Sequence, residues 1–207
     1  MSTLLCEAGL MPDQMRNRAD EFMAKISLLC QQLHLDLSQF QADHIALRVN
    51  DEKLAQLAEI EWKKEAQVIS KGQVNGRPIV VLEFDQPFSV GQWQVECLEL
   101  PYPAPGKIYP SQDWEHVEFV VPSHAQLSHV QPSHVQSAEQ YLSDLKQQFP
   151  EFSSNFARLG DQGIQVKLSS PQGENERLSN PTVAFKWDGV CIKLHPHSLK
   201  AVVESER

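Results

Sequence analysis

The sequence DHIALRV at residues 43–49 is echoed by EHVEFVV at residues 115–121, which begins 72 positions later. Both stretches alternate between apolar and polar residues over part of their length, as strands with one buried face do, and both open with an acid followed by a histidine. Two later strand-like runs recur as well: RPIVVLEFD at 77–85 returns as NPTVAFKWD at 180–188, and VECLELP at 95–101 returns as VCIKLHP at 190–196. The chain therefore contains an internal repeat, and the repeat places two imidazoles, those of His44 and His116, at equivalent positions.

The repeat predicts an α+β protein built from two β-α-β-β-β modules, which together form a curved mixed sheet around a cleft. In the first module we expect a strand at 43–49, a helix at 51–64 and strands at 66–74, 77–85 and 92–100. In the second we expect a strand at 115–121, a helix at 137–149 and strands at 163–169, 181–187 and 190–195. Two dipeptides, Asn75-Gly76 and Asp188-Gly189, are typical of two-residue hairpin turns.

A segment outside the repeat precedes the first module. Its apolar residues Phe22, Ile26, Leu29 and Leu33 recur at helical spacing, and Pro12-Asp13 is a helix start signal, so we expect a helix over about 13–34. The expected organisation is an N-terminal helical extension at 1–40, a first module at 41–110 and a second at 111–207, all in one compact domain.

Composition excludes several classes of protein. The net charge of −9 over 207 residues opposes binding to nucleic acid, which requires a basic surface. No apolar run approaches the ~18 residues of a membrane span, and the first fifteen residues contain no Lys or Arg of the kind that begins a secretory signal. The four cysteines are widely separated, which argues against a disulfide framework or a zinc ribbon. We therefore expect a cytoplasmic protein, either a monomer or a homodimer, with a small-molecule ligand.

Strand alternation also predicts which way the polar side chains point, because successive residues face opposite sides of a sheet. The aliphatic faces would pack against the helices. The opposite faces would then collect one set of polar residues in a shared concavity: His44, Arg48, Cys97, Glu99, His116, Glu118, Lys193 and His195. Three further histidines, His124, His129 and His134, are spaced five residues apart and are interpreted as part of a polar loop.

The repeated strands and the motifs DHIALRV, ELPYP and DWEHVEFV resemble the YecM family. That family lies within the vicinal oxygen chelate superfamily of glyoxalases, extradiol dioxygenases and bleomycin-resistance proteins. The resemblance covers about residues 12–200 and implies a divalent metal in the cleft, held by the first and last strands of each module. Carried over by position, it implies His44, Glu99 and His116 as ligands. The fourth position aligns with Lys193, and a protonated lysine is no ligand, so the site has three ligands or is completed by His195.

Two imidazoles and one carboxylate suit Zn, Fe, Mn or Ni and leave positions for a ligand. The resemblance thus implies an isomerase, lyase or dioxygenase acting on a small oxygenated metabolite. In such an enzyme Glu118 and His195 would be the catalytic acid or base, or Glu118 would instead orient a ligand imidazole. Lys193 would bind substrate, and Arg48 would either bind substrate or form a structural salt bridge. Two alternatives stay open: a non-catalytic module that binds or sequesters a small ligand, and an interaction protein with a vestigial cleft.

Overall fold

Eight strands form one curved, open, mixed sheet in the computed structural model, which describes residues 2–74, 76–123, 136–170 and 178–205. The strands are β1 Gln41–Leu47, β2 Ala66–Val74, β3 Arg77–Val90, β4 Trp93–Pro101, β5 Trp114–Val120, β6 Gln165–Ser169, β7 Thr182–Trp187 and β8 Val190–His195. Their order across the sheet is β2-β3-β4-β1-β5-β8-β7-β6. The first strand of each module pairs in parallel with the last strand of the same module, and β1 and β5 join the two halves in antiparallel fashion at the centre. The predicted α+β fold with a curved mixed sheet is confirmed.

The described helices are α1 Thr3–Glu7, α2 Pro12–Leu33, α3 Glu52–Trp62, α4 Ala138–Gln148, α5 Pro150–Asn155 and α6 Leu199–Ser205, with a 3₁₀ turn at Phe156–Arg158. The predicted helix over 13–34 is confirmed as α2. It ends where His34 adopts a positive φ of 55°, a left-handed conformation that cannot continue a helix. Its apolar stripe is buried, and α2 packs against β3, β5 and β8. The long helix therefore covers the apolar face of the sheet and leaves the polar face to the site.

The helix α3 of the first module begins where the sequence indicates, directly after Asp51. Asp51 caps it, because its carboxylate accepts a hydrogen bond of 2.9 Å from the backbone N–H of Leu54. The Asp188-Gly189 hairpin is also confirmed, since both residues have positive φ angles of 45° and 79°. Asn75 of the other predicted hairpin, and the three histidines at 124, 129 and 134, lie outside the described residues.

Three features differ from the predicted elements. The strand β1 ends at Leu47, so Arg48 and Val49 follow the strand instead of belonging to it. The strand β3 continues to Val90 instead of ending near residue 85, because a register shift between Glu83 and Phe88 lets its second half pair with β4. The helices α1, α5 and α6 were not expected, since each is five to seven residues long and offers too few turns for an apolar period.

The sheet register brings the two halves of the repeat into matching positions. His44 lies beside Cys97 and His116 beside Cys191 on the parallel neighbours. The next inward-facing pairs are Ala46 with Glu99 in the first module and Glu118 with Lys193 in the second. Across the central antiparallel pair, His44 faces Glu118 and Ala46 faces His116. The polar face therefore concentrates its charged residues on four adjacent strands.

All four cysteines lie in described parts of the chain and are free thiols, as expected. Among the described residues, no helix is long and apolar enough to cross a membrane.

Candidate metal centre

Four side chains meet at the centre of the polar face. His44 on β1, Glu99 on β4 and His116 and Glu118 on β5 each present one donor atom, and these four atoms lie within 4.8 Å of one another. His44, His116 and Glu118 are buried, while Glu99 is partly exposed. The structure therefore brings together the three residues that the sequence predicted as metal ligands, and it adds Glu118 to them.

His44 shows the most unusual environment. Its Nε2 atom lies 3.3 Å from Glu99 Oε2 and 3.3 Å from Glu118 Oε1, an ion-pair distance from both carboxylates, but the geometry of a hydrogen bond is met with no group of the described chain. The side chain is only 3% exposed, so water does not readily take the place of that partner. A buried polar atom without a partner costs roughly 1–3 kcal/mol, and native proteins rarely leave one unless an ion or water satisfies it.

The second half of the cluster contains a lysine where the repeat predicts a carboxylate. Lys193 Nζ lies 2.6 Å from Glu118 Oε1 and 3.0 Å from His116 Nε2. His116 Nε2 is in turn 3.1 Å from Glu118 Oε1. The carboxylate missing at Lys193 is thus supplied by Glu118 on the neighbouring strand, so the cluster retains two imidazoles and two carboxylates.

His195 does not complete this donor set. Its Nε2 atom lies 3.6 Å from Asp43 Oδ2 and 3.5 Å from Glu118 Oε2, and its Nδ1 atom contacts Asn180 Nδ2 and the carbonyl oxygen of His197. With Asp43 and His44 it forms a second, overlapping group of potential ligands on the other side of His44. His195 is fully buried and lies beside the four donors rather than among them.

Asp43 is the site residue that sequence reasoning missed. Its Oδ2 atom lies 2.9 Å from His44 Nδ1 and accepts a hydrogen bond of 2.8 Å from the backbone N–H of Leu199. Strict alternation would turn Asp43 away from the face of His44, but the β1–β5 register shifts between Ala42 and His44, which indicates a bulge at Asp43. The signal available in the sequence was the acid directly before the histidine.

Arg48 is engaged outside this cluster. Its guanidinium forms an ion pair with Glu115 and stacks on the ring of Tyr109, with Cζ 4.1 Å from the ring centroid. Glu115 is the counterpart of Asp43 in the repeat, but it binds Arg48 instead of the adjacent histidine. Nδ1 of His116 is consequently left without a hydrogen-bond partner among the described residues.

The ionisable groups of the cluster shift one another strongly. Burial opposes charge on His44, but Glu118, Asp43 and Glu99 outweigh it and hold the pKa of His44 well above its ordinary value. Burial would raise the pKa of Glu99, but His44 and the Lys193 ammonium lower it to about 2. The pKa of Glu118 is likewise held well below its usual range, against burial, chiefly by Lys193 and His44. The carboxylates and the cationic groups of the cluster therefore stabilise one another's charged forms.

The pKa of His195 is shifted in the opposite direction from that of His44. Burial is the largest influence and lowers the pKa of its imidazole, although Glu118 and Asp43 act in the other direction. Burial therefore disfavours the charged form of His195, and its Nε2 atom has no hydrogen-bond partner within the described part of the chain.

The donor set fits a divalent transition metal. Imidazole nitrogens together with carboxylate oxygens are ligands that zinc, iron, manganese and nickel accept, whereas calcium and magnesium prefer oxygen alone. The orphaned Nε2 atom of His44 points between two carboxylates, where a cation would satisfy it. Asp43, on the other ring nitrogen, fixes the tautomer in the manner common to metal-binding histidines.

Solvent reaches the cluster from one side. Glu99 and Lys193 expose 14% and 27% of their side chains, while the two histidines are almost fully enclosed. A separate groove of about 640 Å³ lies near the C-terminal end of α2, where Cys30, Leu35 and Trp93 line it, and it contains none of the four donors.

Comparison with known proteins agrees with the sequence motifs. The family model described as "YecM protein" matches residues 11–206. Protein YecM of Escherichia coli strain K12 is 34% identical over 186 residues, which cover 90% of this chain and 89% of that protein. A solved structural-genomics structure, Protein EC4020, has 28% identity and a TM-score of 0.68 and covers 94% of this chain and 92% of its own.

More remote solved structures include members of the vicinal oxygen chelate superfamily. One is a methylmalonyl-CoA epimerase from Mycobacterium tuberculosis, with 13% identity, a TM-score of 0.39 and coverage of 78% of this chain and 91% of that one. A likeness this remote transfers no activity. The family match extends over nearly the whole chain, from α2 through every strand of the sheet to α6, and the chain belongs to the YecM family.

Proposed function

We propose that this protein binds one divalent metal ion through His44, Glu99, His116 and Glu118, and that the metal site receives a small oxygenated ligand. The observation that supports this most strongly is the buried Nε2 atom of His44, which lies 3.3 Å from two carboxylate oxygens and lacks a hydrogen bond among the described residues. A cation held by these groups would give Nε2 the partner that it lacks.

The chemistry of the donors favours zinc, iron(II), manganese or nickel as the metal. Two imidazoles and two carboxylates would fill a tetrahedral zinc site, whereas six-coordinate iron(II), manganese or nickel would keep two positions for water or a ligand. When bound, such a metal supplies Lewis acidity, which polarises an oxygen atom of the ligand. The partly exposed side of the cluster, formed by Glu99 and Lys193, provides the approach for that ligand.

The remaining polar residues suit an isomerase, lyase or dioxygenase reaction. We assign Glu118 to the donor set, which leaves His195 as the residue to accept a proton. Its Nε2 atom is unpartnered within the described chain and lies 3.5 Å from Glu118 Oε2 on the enclosed side of the cluster, so a proton would pass to it through Glu118 rather than directly from the ligand. Lys193 would bind an anionic oxygen of the ligand, whereas Arg48 would reach it only by leaving Glu115 and Tyr109.

A metal-free module that binds a small ligand is the second candidate. The observation in its favour is the Lys193 ammonium, which already contacts Glu118 and His116 and so satisfies two of the four donors without any metal.

Elemental analysis would distinguish the two candidates. The full chain, purified without chelator and without nickel affinity resin, would be measured after equilibration with zinc, manganese, iron(II) or nickel and removal of free metal. We expect close to one metal per chain in the wild type and almost none in a His44→Ala, His116→Ala double variant. A matched control is His34→Ala, because His34 lies at the end of α2, remote from the donors. A wild type that retains none of the four metals would contradict the proposal.

A further inference from the structure

Lys193 stands at the point where a metal would bind His116 and Glu118. Its Nζ atom is 2.6 Å from Glu118 Oε1 and 3.0 Å from His116 Nε2, so it uses one donor atom of each residue. An ammonium is a compact cation with three donors and no lone pair, and it can occupy such a position without coordinating a metal itself. Lys193 and a metal therefore compete for the same two atoms.

We propose that the Lys193 ammonium is the resident cation of this cluster, which a divalent metal must displace, and that it thereby sets the metal affinity of the site. This inference rests on the proposed function. It assigns to Lys193 a role that differs from substrate binding, since the lysine would act on the metal-free protein before any ligand arrives.

The repeat explains why a cation is needed there. In the first module Glu99 lies beside Ala46, and in the second Lys193 lies beside Glu118, so the acidic residue has moved to the inner strand and a base has taken its former position. Without Lys193, the carboxylate of Glu118 would lose its salt bridge of 2.6 Å while a donor oxygen of Glu99 still lay within 4.8 Å of it. Uncompensated buried charge is costly, so the lysine stabilises the metal-free fold.

Displacement of Lys193 requires no unfolding. Its side chain is 27% exposed, whereas that of Glu118 is 10% exposed, so the ammonium lies at the solvent side of the pair. A lysine side chain has four rotatable carbon–carbon bonds, and its head group is strongly hydrated. Rotation toward solvent would release His116 Nε2 and Glu118 Oε1 together.

The test compares Lys193→Met with Lys71→Met. Lys71 Nζ lies 2.6 Å from Glu59 Oε1, the same separation as in the Lys193–Glu118 pair, but it belongs to β2 at the edge of the sheet. Both variants remove one positive charge and one ion pair, and only one of them changes the cluster. A third variant, Lys193→Arg, keeps the positive charge and still tests the inference if Lys193→Met does not fold.

The affinity of each protein for zinc and for manganese would be measured by competition with a chromogenic chelator, and folding by circular dichroism. We expect Lys193→Met to bind metal about 10- to 100-fold more tightly than the wild type, the range over which groups around the ligands alter affinity. Lys71→Met should bind like the wild type, and Lys193→Arg no more tightly. Thermal unfolding should show that the metal-free Lys193→Met variant is the least stable and gains the most from added metal.

The outcomes separate this inference from the proposed function. If the wild type binds metal and Lys193→Met binds it equally or more weakly, the inference is overturned and the metal site stands. If only Lys193→Met binds, the lysine blocks the site in the wild type, and both displacement by a metal and the proposed function are overturned. If neither binds, both ideas fail. Tighter binding by Lys193→Arg, or an equal gain in Lys71→Met, would also overturn the inference.

Discussion

The two modules use the same backbone framework and distribute their charges differently. In each, a histidine on the first strand lies beside a cysteine on the last, and the next pair of inward-facing positions carries the difference. The first module places alanine on the inner strand and glutamate, Glu99, on the outer. The second places glutamate, Glu118, on the inner strand and lysine, Lys193, on the outer. Both modules nevertheless contribute one imidazole and one carboxylate to the cluster.

This difference shows that the four side chains meet because of their positions in the folded sheet, and not because they occupy equivalent positions in the two copies of the repeat. Because β1 and β5 are neighbours, His44 faces Glu118 directly across the central pair. A carboxylate on the inner strand therefore reaches the same centre as one on the outer strand.

A second difference concerns the acid before each histidine. Both acids lie where the β1–β5 register shifts, but Asp43 contacts the ring of His44, while Glu115 pairs with Arg48. The Nδ1 atom of His44 therefore has a carboxylate partner, whereas Nδ1 of His116 has no hydrogen-bond partner among the described residues.

The largest expected effect is that of removing the inner carboxylate. Glu118→Gln leaves Lys193 without its ion pair, and we expect the metal-free protein to lose roughly 3 kcal/mol in the free energy of unfolding. Metal affinity should fall by more than about 100-fold, beyond what groups around the ligands usually contribute. Urea denaturation and metal titration would measure both quantities.

The outer carboxylate provides the comparison for that variant. Glu99→Gln should also weaken metal binding, but its effect on the metal-free protein should be smaller, because no lysine or arginine forms a salt bridge with Glu99 among the described residues. Equal losses of stability in the two variants would contradict the asymmetry between the modules.

A smaller effect is expected from the acids that precede the histidines. Asp43→Asn should lower metal affinity by about tenfold, because an amide orients the imidazole of His44 less firmly than a carboxylate does. Glu115→Gln is the matched control and should leave affinity unchanged, since Glu115 binds Arg48. Metal titration of both variants at one pH would decide the matter, and a loss of affinity with Glu115→Gln would refute the assignment.

The smallest loss of metal affinity is expected when the second module is given the arrangement of the first. The double variant Glu118→Ala, Lys193→Glu retains two histidines and two carboxylates and lacks the Lys193 ammonium that competes with a metal, so it should bind metal at least as tightly as the wild type. Loss of binding as complete as in Glu118→Gln would show that the position of the carboxylate matters more than the donor set. The same titration measures it.

Much of this arrangement could be predicted from residue patterns. Alternation along β1, β4 and β5 is enough to place His44, Glu99 and His116 on one face, and the repeat is enough to bring the two halves together. Glu118 was placed on that face too, but its closeness to the other three side chains depends on the pairing of β1 with β5, which no local pattern specifies. The contact of Asp43 with His44 depends on a bulge, and bulges interrupt the very alternation from which faces are predicted.

The sequence by itself determined the two modules, their strands, the long helix α2 and the polar face, because side-chain periodicity reflects burial on one side of an element. Only the tertiary structure decided that Lys193 lies against Glu118 and His116, that His195 stands beside the donors, and that Asp43 holds both His44 and the start of α6. Such contacts depend on strand order and register, which arise from long-range packing. Distances of a few ångströms between residues as much as 156 positions apart are therefore settled only when the chain folds.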